Sequence, residues 1–186
     1  MSDFQADART VLGELGKTLG RIDATRIDAL VAALERAGRV FVLGVGREGL
    51  AARGFAMRLM HLGFECHWGW DDTTPNVAEG DTFLLVNGSG AIGHLDYVFE
   101  QVRAAGAQTL VVTGVPDGRT SREADLTIAI PATVYRGSGD LVTSIQPMGS
   151  LFEQATGLMF DLIVLRLVEA RGLDFDALAA RHRNFE

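Results

Sequence analysis

Two glycine-rich stretches offer a polypeptide backbone that could hold an anion. Gly44-Val45-Gly46-Arg47-Glu48-Gly49 reads G-x-G-x-x-G behind the apolar run Val40–Leu43, and Asn87-Gly88-Ser89-Gly90, continued by Ala91-Ile92-Gly93, stands behind the run Thr82–Val86. Glycines let backbone N–H groups approach a phosphate, and a helix N-terminus behind them adds a favourable dipole. The first stretch alone admits two further readings. One is a dinucleotide site, with Glu65 accepting from a ribose hydroxyl; the other is a plain strand-to-helix turn. A second Gly/Ser loop favours a phosphate nest built from two loops, against a plain turn capped by Ser89.

Proton transfer needs a carboxylate or an imidazole near such a nest. Glu153 closes the sequence Ser150-Leu151-Phe152-Glu153, a capping box in which the glutamate reaches back to a backbone donor; it also lies in a first helical turn, where the helix dipole favours a carboxylate. His182 lies in a polar tail. His61 ends an apolar helix and reads as a packed or capping residue, His67 falls in a strand, and His94 follows the second glycine loop, where it could add a donor. Scattered histidines, one cysteine and no H-E-x-x-H imply no metal centre, and Asp71-Asp72 reads as solvated loop acids. No G-x-S-x-G elbow anchors a hydrolase triad.

The elements that must position these groups are legible from periodicity. Helical spacing covers Phe4 to about Leu19 (Val11, Leu12, Leu15, Leu19) and Ile27 to Leu34. Five short apolar runs follow: Val40–Leu43, Phe64–Trp68, Thr82–Val86, Thr109–Val112 and Leu126–Ile130. Their continuous apolarity predicts strands buried on both faces. Helices are expected at Leu50–Leu62 and Leu95–Ala105, ended by Gly63 and Gly106, then around Ser121–Ala124, Ser150–Ala170 and Phe175–Ala180. Strand and helix in alternation predict a three-layer αβα sandwich on a five-stranded parallel sheet, doubly wound as in flavodoxin. Ligands of such sheets sit beyond the carboxyl ends of the strands, which is where both glycine loops fall.

A chain of 186 residues suits one domain, with N-terminal helices over 1–38, an α/β core over 39–131 and a loop plus C-terminal helices over 132–186. Seventeen Lys and Arg against 24 Asp and Glu give −7, which argues against nucleic acid and anionic membrane surfaces as partners. Leu158–Val168, the most apolar segment, contains Asp161 and Arg166 and does not read as a membrane span. A lone Cys66 and a start without basic and apolar signal regions point to the cytoplasm. The mean hydropathy of +0.16 suggests apolar surface buried between subunits.

Several segments together resemble the SIS-domain (sugar isomerase) family, and more narrowly the 6-phospho-3-hexuloisomerases, over almost the whole chain. They are Gly44-Val45-Gly46-Arg47, Phe55 to Gly63, Thr73-Thr74-Pro75, Ser144 to Gln154 and the ending Arg181 to Glu186. The resemblance implies a SIS fold and conversion of D-arabino-3-hexulose 6-phosphate to fructose 6-phosphate through an enediol, in the ribulose monophosphate pathway of formaldehyde fixation. It implies no cofactor and no metal. It assigns Glu153 as base and His182 as assisting group, the histidine reaching a neighbour's site within an oligomer, a tetramer by resemblance. The phosphate end falls to Gly46, Arg47, Glu48, Asn87, Gly88, Ser89, Gly90 and Ile92. The chain departs from the family pattern at three hydroxyl donors. Glu48 replaces the serine of Gly-x-Gly-Arg-Ser, while Asn87 and Ile92 replace the first serine and the threonine of Ser-Gly-Ser-Gly-Glu-Thr. Two like charges about 4 Å apart cost on the order of 4 kcal/mol near a surface, so Glu48 must point away, pair with a neighbour such as Arg47, or mark a changed ligand. A sugar-phosphate-binding protein without this activity is the alternative.

Overall fold

Val, Leu and Phe runs too short for helices and apolar on both sides form the centre of the molecule. The structure is a computed structural model that describes residues 3–135 and 139–185. Its elements are α1 (Phe4–Leu19), α2 (Ala24–Arg36), β1 (Val40–Leu43), α3 (Gly46–His61), β2 (Cys66–Trp68), β3 (Thr82–Val86), α4 (Gly93–Ala104), β4 (Gln108–Thr113), α5 (Arg119–Glu123), β5 (Leu126–Ala129), α6 (Ser150–Arg171) and α7 (Phe175–Ala179). All strands are parallel in the order β2-β1-β3-β4-β5, the flavodoxin-like arrangement.

Alternation along the strands builds a core on each face. Val40, Val42, Leu84, Val86, Leu110 and Val112 meet α2, α3 and α6, whereas Phe41, Leu43, Phe83, Leu85 and Val111 meet Leu95, Phe99 and Val102 of α4. α3 and α6 lie side by side, with the Phe55 and Phe160 rings stacked at 4.3 Å. β1 and β3 are neighbours at the centre, and the helices that follow them leave to opposite faces. A crevice must therefore open beyond their carboxyl ends.

Two helices start earlier than their periodicity predicts. α3 begins at Gly46 rather than Leu50, and α4 at Gly93 rather than Leu95, so Arg47 and Glu48 of the first glycine stretch already belong to a first turn, while Asn87 and Ser89 stay in the loop before α4. β2 is trimmed to Cys66–Trp68. In α1 the buried stripe runs through Glu14 and Thr18, while Leu12 faces outward at 68% exposure. The turn reading of the first glycine stretch has a physical basis: a Cβ on Gly49 would stand 2.8 Å from the Gly44 carbonyl carbon, so strand end and helix start touch backbone to backbone.

Candidate active site

The crevice is a cavity of about 730 Å³, and four segments wall it. The first turn of α3 brings Gly46, Arg47 and Glu48; the loop after β3 brings Ser89, Ala91 and Ile92. The connection after β5 contributes Val134, Tyr135 and Gln146 to Gly149, and α6 begins there with Ser150, Phe152, Glu153 and Gln154. Both glycine loops and the start of α6 thus meet at one place.

Glu153 does not close a capping box. Gly149, not Ser150, is the N-cap of α6, it makes no side-chain cap bond, and the Ser150 N–H donates to the Pro147 carbonyl at 3.3 Å. The Glu153 carboxylate turns into the crevice instead, where its Oε2 accepts from Arg47 Nε at 2.5 Å. The Arg47 side chain is 64% exposed and that of Glu153 19%. A short, charge-assisted bond of this kind fixes one carboxylate oxygen and leaves the other for chemistry.

Glu48 does not pair with Arg47. It spans the two glycine loops, its Oε2 accepting from the Gly88 N–H at 2.9 Å. Gly88 is needed for this approach, since a Cβ there would lie 2.4 Å from that oxygen and 2.6 Å from the Phe152 ring. Burial pushes the Glu48 carboxyl up to about 7; the Gly88 hydrogen bond opposes the rise and the nearby Glu153 carboxylate adds to it.

The remaining expected site residues divide. Ser89 and Ile92 line the crevice, and Ile92 also packs against the α4 face of the sheet. Gly88 and Gly90 contribute backbone: the Gly88 N–H is taken by Glu48, and Gly90 N–H donates to the Asn87 carbonyl at 3.1 Å. Asn87 is fully buried beneath the loop, with Nδ2 3.4 Å from Thr120 Oγ1, and its side chain does not line the crevice. His94 sits on α4 with its ring 6.0 Å from Trp70, also off the crevice wall. Glu65 lies beside His67 Nε2 at 3.5 Å, at the start of the edge strand. His182 stacks on His61 at 5.1 Å, at the far end of α3; thirteen helical residues separate that end from Glu48, about 20 Å. One protomer therefore does not bring His182 to Glu153.

Some of the wall escaped residue-by-residue reasoning. Gln146 and Gln154 exchange amide hydrogen bonds of 3.0 and 2.8 Å across the entrance, beside Glu153. The stretch before them is held from a distance: Glu14 of α1, 9% exposed, accepts from Ser144 Oγ at 2.6 Å and from the Ile145 N–H at 2.9 Å, and Ser144 Oγ in turn accepts from the Gln146 N–H at 3.0 Å. A glutamate on the helical face shared with Val11, Leu15 and Thr18 is the sequence signal that could have revealed this anchor. Met148, with φ of 56°, turns the chain towards α6.

The sequence and fold are similar to those of known proteins. Residues 33–156 match the model of the SIS domain. The chain is 35% identical over 176 residues to the 3-hexulose-6-phosphate isomerase of Bacillus subtilis, covering 95% of each, and 34% identical over 184 residues to that of Mycobacterium gastri, covering 99% of this chain and 92% of the relative. A crystal structure of a hypothetical protein from Methanococcus jannaschii, described as inferring a 3-hexulose-6-phosphate isomerase function, superposes with a TM-score of 0.84 at 27% identity, covering 97% of this chain and 99% of that one. The parallel sheet, the two glycine loops at its switch point and these full-length likenesses together make the chain a member of the SIS-domain family.

Proposed function

We propose that the chain is a sugar-phosphate isomerase converting D-arabino-3-hexulose 6-phosphate to fructose 6-phosphate. The observation that carries the reading is the full-length likeness to proteins named for that reaction. The crevice supports it with a carboxylate and an anion-binding backbone in one place. The phosphate lies on the first turn of α3 and the loop after β3, where helix geometry leaves N–H groups without partners in the turn before, and Arg47 and Ser89 stand beside them. Glu153, held through one oxygen by Arg47, removes the proton from C2 with the other. The C3 carbonyl becomes an enediol(ate), and return of a proton to C3 leaves the ketone at C2. His182 assists from a neighbouring subunit, which requires a homo-oligomer, a tetramer on the family pattern. The whole chain, 1–186, acts as one SIS domain, in the cytoplasm. Among the described residues no helix is long and apolar enough to cross a membrane.

The test supplies the 3-hexulose phosphate in situ with a coupled synthase and follows fructose 6-phosphate. Glu153→Gln should lower kcat by about 10²-fold or more while the protein stays folded, as expected for loss of a general base. Unchanged turnover in Glu153→Gln overturns the mechanism. The bond from the Gly88 N–H to Glu48 favours a second reading, a sugar-phosphate-binding protein without turnover, because one loop donor is already occupied by an internal carboxylate. A sugar phosphate that raises the melting temperature of the wild type and is recovered unchanged would support that reading.

A further inference from the structure

Glu48 puts an acid at the point where a phosphorylated ligand brings its own negative charge. Resting on the sugar-phosphate reading, we propose that Glu48 meets the ligand's phosphate as a carboxylic acid, so that a phosphorylated ligand enters the crevice together with one proton from solvent. The geometry makes the alternatives poor. Oε2 is tied to the Gly88 N–H at 2.9 Å, and the glycine leaves no slack around it. Swinging Glu48 out would break the bond that joins the two loops. Arg47, the cation on the wall among the described residues, is engaged with Glu153. The charged and titratable groups facing Glu48 are thus Arg47 from its own helix and Glu153 from α6, with Tyr135 on the connection after β5; the loop after β3 contributes none among the described residues. Among the described residues, an ionised Glu48 leaves this wall at −1 before a dianion arrives.

Protonation on the second oxygen removes that repulsion and creates a donor. A carboxylic acid presents an O–H, the group a serine hydroxyl would supply at this position, while its other oxygen keeps the Gly88 bond. Glu48 is then half converted near neutral pH before any ligand binds, since burial has already pushed its carboxyl up to about 7. The proton comes from solvent on binding and returns on release, and no bond of the sugar is altered. Glu48 is in this sense a specificity residue: it selects the phosphate end by protonation rather than by a fixed hydroxyl.

Calorimetric titration with fructose 6-phosphate, and separately with inorganic phosphate, tests this in buffers of different ionisation enthalpy. Relative to Glu48→Gln, the wild type should take up close to one additional proton per site near pH ~8 and almost none near pH ~6, with affinity falling about tenfold per pH unit above pH ~7.5. Glu48→Gln, whose amide can accept from Gly88 and donate to phosphate, should show no uptake near pH ~8 and no fall in affinity above pH ~7.5, its proton exchange at lower pH being that of the phosphate's own second ionisation at about 6 to 7; Glu48→Ser should behave alike. Equal pH profiles for wild type and Glu48→Gln, or proton uptake with unphosphorylated fructose, overturn the proposal while leaving the sugar-phosphate reading intact. Failure of every variant to bind either phosphate compound at pH ~6 overturns both.

Discussion

Glu48 and Glu153 lie close together and do different work because their surroundings differ. Glu153 has a guanidinium at 2.5 Å; Glu48 has a backbone N–H and the Phe152 ring. The consequence for stability has a definite sign. A carboxyl whose folded value is raised from 4.5 to about 7 contributes stability that is complete below about 4.5 and is lost as pH rises through about 7. Glu48→Gln removes the loss, so the variant should gain on the order of 3 kcal/mol over the wild type at pH ~8, with the difference vanishing at low pH. Urea unfolding at the two ends of that range checks it, and a variant less stable than the wild type at high pH would contradict the assignment. The sequence names both residues by type. It does not say that Glu153 abandons its capping box for Arg47, since the choice between a local backbone donor and a distant cation depends on where α3 lies beside α6.

Elements far apart in sequence hold the site together. α1 is remote from the glycine loops in sequence, yet its Glu14 holds the Ser144–Gln146 stretch, and Gln146 holds Gln154 one residue from Glu153. Glu14→Ala strands the Ser144 hydroxyl and the Ile145 N–H, which should cost about 1–3 kcal/mol. It should also lower kcat/KM several-fold, and Glu14→Gln, which keeps one acceptor, should lose less of both. Thermal unfolding and the isomerase assay measure the two effects. Gly88→Ala would press on Glu48 and Phe152 together and should destabilise by about 1–3 kcal/mol. These are long-range contacts, and apolar periodicity carries no information about them. The five strands and the two capping glycines were legible because each depends on residues within one turn or one strand. The earlier starts of α3 and α4 reflect first-turn N–H groups and loop packing that hydrophobic spacing does not encode.

At the scale of the molecule, the excess of apolar residues has a location. Leu158, Leu162 and Leu165 form a stripe on α6 exposed at 41, 51 and 59%, on a helix whose other faces are buried. If this stripe joins subunits and a neighbour supplies His182, Leu162→Glu should yield a smaller species by light scattering together with a loss of turnover. Mixed oligomers of Glu153→Gln and His182→Ala should recover part of the activity that each variant lacks alone, because some interfaces then carry one intact Glu153 and one intact His182. A monomeric wild type, or mixing without recovery, would contradict a shared site.

The amino-acid sequence by itself determined the layer architecture, the parallel sheet, the two glycine loops and the family, because local periodicity, turn chemistry and short motifs are written in consecutive residues. Only the tertiary structure decided that Glu153 faces Arg47, that Glu48 joins the loops through Gly88, that Asn87 lies beneath them, and that His182 stacks on His61, about 20 Å along α3 from Glu48. Each of these depends on side chains brought together across the switch point of the sheet or separated along the length of α3, and on the burial that results.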